Sequence, residues 1–218
     1  MNKSILLKNR PKGKPALSDF EITEIEKPSP KDGEILLKTK YISVDPYLRG
    51  RMRDEESYIP PFELNKPIES MLVAEVIESK NKDFKTGDVV SGMLKWELFQ
   101  THTGENLNKI DTNLAKPSAY LGILGLTGLT AHLALKHIGK PEKGETLVVS
   151  GAAGAVGSVA GQIGKIKGCR VVGIAGSDGK IDHIKEKFGY DAGINYKTTE
   201  NMQKAIEKNC PDGVDVYF

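Results

Sequence analysis

"VVSGAAGAVGSVAG", from Val148 to Gly161, decides how this sequence is read. It begins on an apolar segment of strand character, crosses a run of small residues and continues at helical steps. The spacing Ala152-x-Gly154-x-x-Gly157 is an alanine variant of the GxGxxG phosphate turn. Gly154 would let the backbone approach a pyrophosphate, and Gly157 would let the helix pack close to the strand. The helix N-terminus then offers free N–H groups and a partial positive charge. A bare glycine motif says little, but this one follows a strand, opens a helix and leads into a second strand.

The rhythm around it extends the reading. "AYLGILGLTGLTAHLALKHIG" is expected to be helical with two glycine kinks. "TLVVSG" is a buried strand, and Val156, Val159, Ala160, Ile163 and Ile166 fall on one helical face at steps of three and four. "RVVGIAG", "AGINY" and "GVDVYF" follow as strands, separated by helices ending near Phe188 and Asn209. This βαβαβαβ succession is the mark of a parallel, doubly wound sheet. Such sheets have about six strands, so a chain ending at Phe218 reads as part of something longer.

The end of the second strand selects the dinucleotide. An acid about 20 residues beyond the glycines would bind the ribose hydroxyl of NAD. Gly176 stands there, followed by Ser177, Asp178, Gly179 and Lys180. A small residue leaves room for a 2′-phosphate, and Lys180 could pair with it, which favours NADP. Asp178 stands against that, because its carboxylate could serve NAD or repel a phosphate.

From Ser4 to about Thr112 the punctuation differs. "SILLKN", "FEITEIE", "EILLKTKYISV", "MLVAEVIES" and "DVVSGML" are β-rich runs separated by turns such as "KPSPKDG" and "KTGD". A mostly antiparallel barrel or sandwich is expected. Asp54 to Pro67 is too polar and proline-rich for a strand and reads as a loop able to cover a site. The expected division is 1–117 for the β domain and 118–218 for the dinucleotide-binding domain.

Bulk properties exclude some classes. Lys and Arg number 31 against 29 acids, a net charge of +2, an excess too small to argue for or against nucleic acid, and no nucleic-acid partner is expected. No apolar run reaches the ~18 residues of a membrane span. The two cysteines, Cys169 and Cys210, suggest neither a disulfide framework nor a zinc site, and a reduced cytoplasmic location fits. A zinc alcohol dehydrogenase would carry Cys and His ligands in its first domain; between Met1 and Pro117 there is no cysteine and only His102. No metal is expected.

The chain resembles the zinc-independent medium-chain dehydrogenase/reductase family, in the branch holding prostaglandin reductases, plant double-bond reductases and curcumin-reductase-like proteins. The matching stretches are "ISVDPYLRGRM", "LGILGLTGLTAHLAL", "GAAGAVGSVAGQIGKIKGCRVVGIAGSDGK" and "INYKT". "VDPYLRGRM" is specific to the branch. The resemblance implies α/β architecture with a β-barrel domain: a GroES-like barrel joined to a Rossmann domain, with the active site between them. It implies NADPH-dependent reduction of the C=C bond of α,β-unsaturated aldehydes and ketones, by a homodimer. By the same resemblance Gly154, Ala155, Val156 and Gly157 hold the pyrophosphate, Lys180 and Tyr196 contact the 2′-phosphate side, and Thr130 lies near the nicotinamide ribose. Tyr47 and Trp96 would line the substrate pocket. The family's catalytic tyrosine falls C-terminal to residue 218, so no proton donor is named. The family usually has glycine where Ser70 or Met71 stands. A non-catalytic NADPH-binding protein and an inactive fragment of such a reductase are the alternative readings.

Overall fold

In the computed structural model, which describes residues 1–218, the chain divides into two units, Met1–Leu121 and Gly122–Phe218. In the first, alternation of apolar and polar residues produces antiparallel pairing. Strands β1 (Asn2–Leu7) and β2 (Phe20–Ile25) form a two-stranded ribbon, with Asn2 opposite Ile25 and Leu7 opposite Phe20. Strands β3 (Ile35–Ile42), β4 (Glu69–Ser79), β5 (Val89–Lys95), β6 (Phe99–His102) and β7 (Asn108–Lys109) form one sheet in the order β6-β3-β4-β5-β7. Leu72, Ala74 and Val76 of β4 alternate onto a common face with Ile35, Leu37, Val90 and Leu94, the period of two that a half-buried strand requires. Register shifts between Leu36 and Leu37 and between Thr39 and Tyr41 bend β3 against β4.

Bridges from Ser4 to Glu97 and from Leu6 to Pro67 stitch the ribbon to this sheet. Short helix α1 (Tyr47–Arg51) follows β3. Arg51 Nε donates to the Pro60 carbonyl at 3.0 Å, and its guanidinium stacks 4.0 Å above the Phe62 ring. Arg10 reaches Asp54 at 3.1 Å. The 54–67 segment is therefore irregular, as its composition suggests, but anchored at both ends. The first unit extends four residues past the expected boundary at Pro117, because Pro117–Leu121 forms a 3-10 turn packed on β3, β4 and β5.

The second unit begins with α2 (Leu126–Ala134), continued by one π-helical turn, Leu135–Gly139, and closed by Lys140 in the left-handed region. The sequence predicts helix with two glycine kinks from Ala119 onward; the turn at Gly122–Gly125 falls at one glycine-rich point, and the helix ends in this π turn. Then β8 (Thr146–Val149), α3 (Ala155–Ile166), β9 (Arg170–Ala175), α4 (Asp178–Phe188), β10 (Ala192–Asn195), α5 (Met202–Asn209) and β11 (Val216–Tyr217) alternate. All four strands are parallel, in the order β10-β9-β8-β11. Counted from β8, that is 3-2-1-4, the doubly wound order with its switch point between β8 and β11.

Both faces of this sheet are covered, which explains why its strands are apolar throughout. Leu147, Val149 and Val171 join Ala160, Ile184 and Tyr190 in one cluster. Val148, Val172 and Ile194 join Cys210, Met202 and Ile206 in the other. One expectation fails. Ile166 is 85% exposed and does not belong to the inner face of α3. Val156, Val159 and Ile163 flank the core, but the fully buried stripe is Gly157, Ala160, Gly161 and Gly164. The helix lies against the sheet along its glycines, so the apolar pattern points about one step off the true contact line.

Candidate functional site

The turn after β8 is built by close approach. Gly151 has φ +55, a left-handed conformation that turns the chain sharply out of the strand. Gly154 caps α3 without a side-chain hydrogen bond, which leaves the N–H groups of the first helical turn without intrahelical partners. A Cβ on Gly157 would lie 2.5 Å from the Gly151 carbonyl oxygen and 2.9 Å from Ala152 Cα. Only glycine lets the helix begin this near the strand. Ala155 and Val156 are the first two residues of α3. The result is a concave run of backbone donors at the positive end of a twelve-residue helix, the geometry that takes a phosphate.

Tyr190, which sequence reasoning did not single out, holds this turn from beneath. It is 3% exposed, and its hydroxyl donates to the Gly157 carbonyl at 2.7 Å. Its ring occupies the space that a side chain at Gly161 would need. Burial pushes its phenol far above the ordinary value, outweighing the hydrogen bond from the Gly161 backbone, so it remains a neutral donor.

Gly176, Lys180 and Tyr196 meet at the neighbouring strand ends. Because the strands are parallel, the turns after β8, β9 and β10 open on the same edge of the sheet. Tyr196 N–H donates to the Ala175 carbonyl at 3.1 Å, which draws the end of β10 against the end of β9. A Cβ on Gly176 would stand 2.9 Å from the Tyr196 hydroxyl and 3.1 Å from two of its ring carbons, so the tyrosine lies across the glycine. Lys180, in the first turn of α4, is exposed. Asp178, the ambiguous acid, is engaged: its Oδ1 accepts from Asn195 Nδ2 at 2.8 Å. Thr130 lies exposed on α2 of the same unit, its hydroxyl donating to the Leu126 carbonyl at 2.7 Å.

Tyr47 and Trp96 are in the first unit, both packed on the cluster of Leu7, Leu48, Met52, Phe62 and Ile68. Trp96 is fixed at three points. Its N–H donates to the Ile68 carbonyl at 2.7 Å, its carbonyl accepts from Ile5 at 2.9 Å, and its indole N–H donates to Ser70 Oγ at 2.8 Å. Ser70 is fully buried and passes its own proton to the Ser43 carbonyl at 2.8 Å. The departure at Ser70 thus has a physical use: its hydroxyl satisfies the indole. Trp96 borders an apolar recess of about 260 Å³ with Ile5, Ile22, Ile42 and Leu98. Burial first, and then the Asp45 carboxylate, raise the Tyr47 phenol above its usual value.

No group of three His, Cys, Asp or Glu side chains is placed to hold a metal. Cys169 donates to the Glu142 carbonyl at 3.2 Å, Cys210 lies in the core on the α5 side, and His102 Nδ1 accepts from Gly104 N–H at 2.9 Å. These donors do not form a zinc site. No helix is long and apolar enough to cross a membrane.

Known proteins match both parts of the chain. A family described as the N-terminal domain of oxidoreductase matches residues 3–110, and one described as zinc-binding dehydrogenase matches residues 155–218. The Bacillus subtilis (strain 168) protein YfmJ is 56% identical over 214 residues, covering 98% of this chain and 63% of its own length. A tobacco (Nicotiana tabacum) 2-alkenal reductase, NADP(+)-dependent, is 42% identical over 222 residues, covering 100% of this chain and 64% of its own. The crystal structure of CurA in complex with NADPH, from Vibrio vulnificus, superposes with a TM-score of 0.90 at 40% identity, covering 99% of this chain and 64% of that one. The chain therefore spans under two thirds of the length of these relatives.

Proposed function

The chain belongs to the zinc-independent medium-chain dehydrogenase/reductase family, with a GroES-like first unit and a Rossmann second unit, and we propose that it serves NADPH-dependent reduction of the C=C bond in α,β-unsaturated aldehydes and ketones. The observation that carries the cofactor reading is the glycine turn beside the β8/β11 switch point, where a Cβ at Gly157 would strike the Gly151 carbonyl. Ala155, Val156 and Gly157 would hold the pyrophosphate through backbone N–H groups, and Gly154, whose own N–H is tied to the Gly151 carbonyl at 2.7 Å, would let the backbone approach it. Lys180 and Tyr196 would take the 2′-phosphate, and Thr130 the nicotinamide ribose. Bound, NADPH supplies a hydride for the β-carbon of the enone.

The remaining roles fall to the protein's own side chains. Tyr47 and Trp96 would give the substrate apolar walls, and the Ser70 hydroxyl would keep the indole from turning. The raised phenol of Tyr47 makes it a neutral wall rather than a base. The enone class rests on the likeness to reductases of alkenals, curcumin and prostaglandins. A pairing of two copies in the cytoplasm belongs to the same reading.

The test has two arms. Purified protein is mixed with NADPH and but-3-en-2-one, and absorbance at 340 nm should fall. In direct titration, Lys180→Ala should weaken NADPH about tenfold, the loss expected for one charge-assisted contact to phosphate, and leave NADH unchanged. Equal loss for both cofactors would refute the phosphate assignment.

A further inference from the structure

We propose that Asn195 is a positioning residue for cofactor selectivity: by holding the Asp178 carboxylate it withholds that acid from the ribose and keeps the β9–α4 turn open to a 2′-phosphate. The inference rests on the cofactor reading above and extends it to a residue with no other assigned role.

The argument starts from where the acid stands. Asp178 is the first residue of α4, two positions beyond Gly176 and two before Lys180. A carboxylate in this turn has two natural outlets. It can accept from ribose hydroxyls, which selects the unphosphorylated cofactor, or it can repel a phosphate drawn in by Lys180. Asn195 bears on both by taking up one of the two carboxylate oxygens, Oδ1, at 2.8 Å and fixing the direction of a group that keeps its charge.

The amide is oriented for this task. Asn195 Oδ1 accepts from the Lys197 backbone N–H at 3.1 Å, so Nδ2 is the end left to face Asp178. Turning the amide over would set its oxygen against the carboxylate and its NH₂ against an N–H, losing both contacts. The backbone is fixed as well: the Asn195 carbonyl accepts from Thr199 N–H at 3.0 Å, and Tyr196 N–H is tied to Ala175. The clamp thus joins the end of β10 to the start of α4, beside Gly176 and the Tyr196 ring lying across it. Asn195 is a positioning residue and need not touch the cofactor.

The experiment measures dissociation constants for NADPH and NADH by fluorescence titration of wild type, Asn195→Ala, Asp178→Asn and the double variant. Melting curves without cofactor confirm that each is folded. Asn195→Ala frees the acid, so the preference for NADPH over NADH should fall about fivefold, the scale of one ordinary hydrogen bond. Asp178→Asn alone should keep the preference, and the double variant should restore it, because no carboxylate is left to redirect. A merely structural role for Asn195 would lower both affinities together and would not be rescued at Asp178. An unchanged ratio in Asn195→Ala, or no rescue in the double variant, overturns the inference while leaving the cofactor reading intact. If the wild type binds neither nucleotide, both fall.

Discussion

Gly157→Ala puts the central geometry at risk. In a helix interior alanine is worth about 1 kcal/mol more than glycine, so a tolerant site would be stabilised. Here the new Cβ would sit 2.5 Å from the Gly151 oxygen and 2.9 Å from Ala152 Cα, against a comfortable separation of about 3.5 Å. Both obstacles are backbone, and Ala152 N–H is tied to the Ile174 carbonyl at 3.0 Å, so the first turn of α3 must move by about 1 Å. Overpacking of this kind costs about 1–3 kcal/mol. The same shift strains the buried Tyr190–Gly157 hydrogen bond, worth about 1 kcal/mol. Set against the propensity gain, the net loss is about 2 kcal/mol, or about 4–8 °C in melting temperature for a chain of this size. Gly154→Ala is the control: its Cβ meets only the Gly151 oxygen, at 3.0 Å, and φ is −83°, so the loss should stay under about 1 kcal/mol. Scanning calorimetry of the cofactor-free protein reads both. A Gly157→Ala protein that melts at or above wild type, or below which Gly154→Ala falls, would refute the close-approach argument.

Two further outcomes follow from groups around the same sheet. Tyr190→Phe keeps the ring and removes the bond to the Gly157 carbonyl, so stability should drop by about 1 kcal/mol near neutral pH. Above about pH 10 the gap should narrow, because unfolded tyrosine ionises while the buried one stays protonated, which costs the wild type alone; a gap that widens there contradicts this. Asp191 accepts from Lys165 at 2.7 Å and from Val171 N–H at 2.6 Å. Burial raises its carboxyl, but Lys165 and the Val171 amide together outweigh that and hold it below the ordinary range. A depressed acid contributes stability above its unfolded value of about 4, and that contribution is lost as pH falls through the folded value. Asp191→Asn should therefore be roughly 1 kcal/mol less stable at neutral pH, allowing for solvent screening, and the deficit should vanish in urea titrations toward pH 2.

The second unit was legible because the phosphate contacts proposed for it are made by backbone. A turn that binds phosphate through N–H groups must spend its side chains on being small, and that leaves a visible run of Gly and Ala between an apolar strand and a helix. Parallel pairing followed from the βα alternation; the order β10-β9-β8-β11 is seen only in the structure. The same reliance on glycine misled the reading of α3: apolar periodicity gives no weight to a residue without a side chain, so Ile166 was assigned inward while Gly161 and Gly164 form the true contact. In the first unit β1 to β5 were legible from alternation and turns, whereas the short β6 and β7 were not. The partner of the Trp96 indole was not, because Ser70 lies 26 residues away and meets it only once β4 and the 95–97 turn are side by side.

Cofactor choice shows where reading by position stops. In one dimension Asp178 is two residues from Gly176, and the sequence leaves open whether it helps NAD or hinders a phosphate. The answer depends on Asn195, seventeen residues on, and on β10 pairing with β9 in the register that sets Asn195 opposite Ala175. That register follows from parallel pairing of "RVVGIA" with "AGIN", where Ile194 matches Ile174 on the face covered by α5. A slip of one residue would turn Ile194 toward the other face and carry Asn195 away from α4. Burial of one isoleucine side chain, worth about 1.5–3 kcal/mol, thus helps hold the pairing on which the hydrogen bond to Asp178 depends. On this reasoning the selectivity of an exposed turn is maintained by the core beneath it.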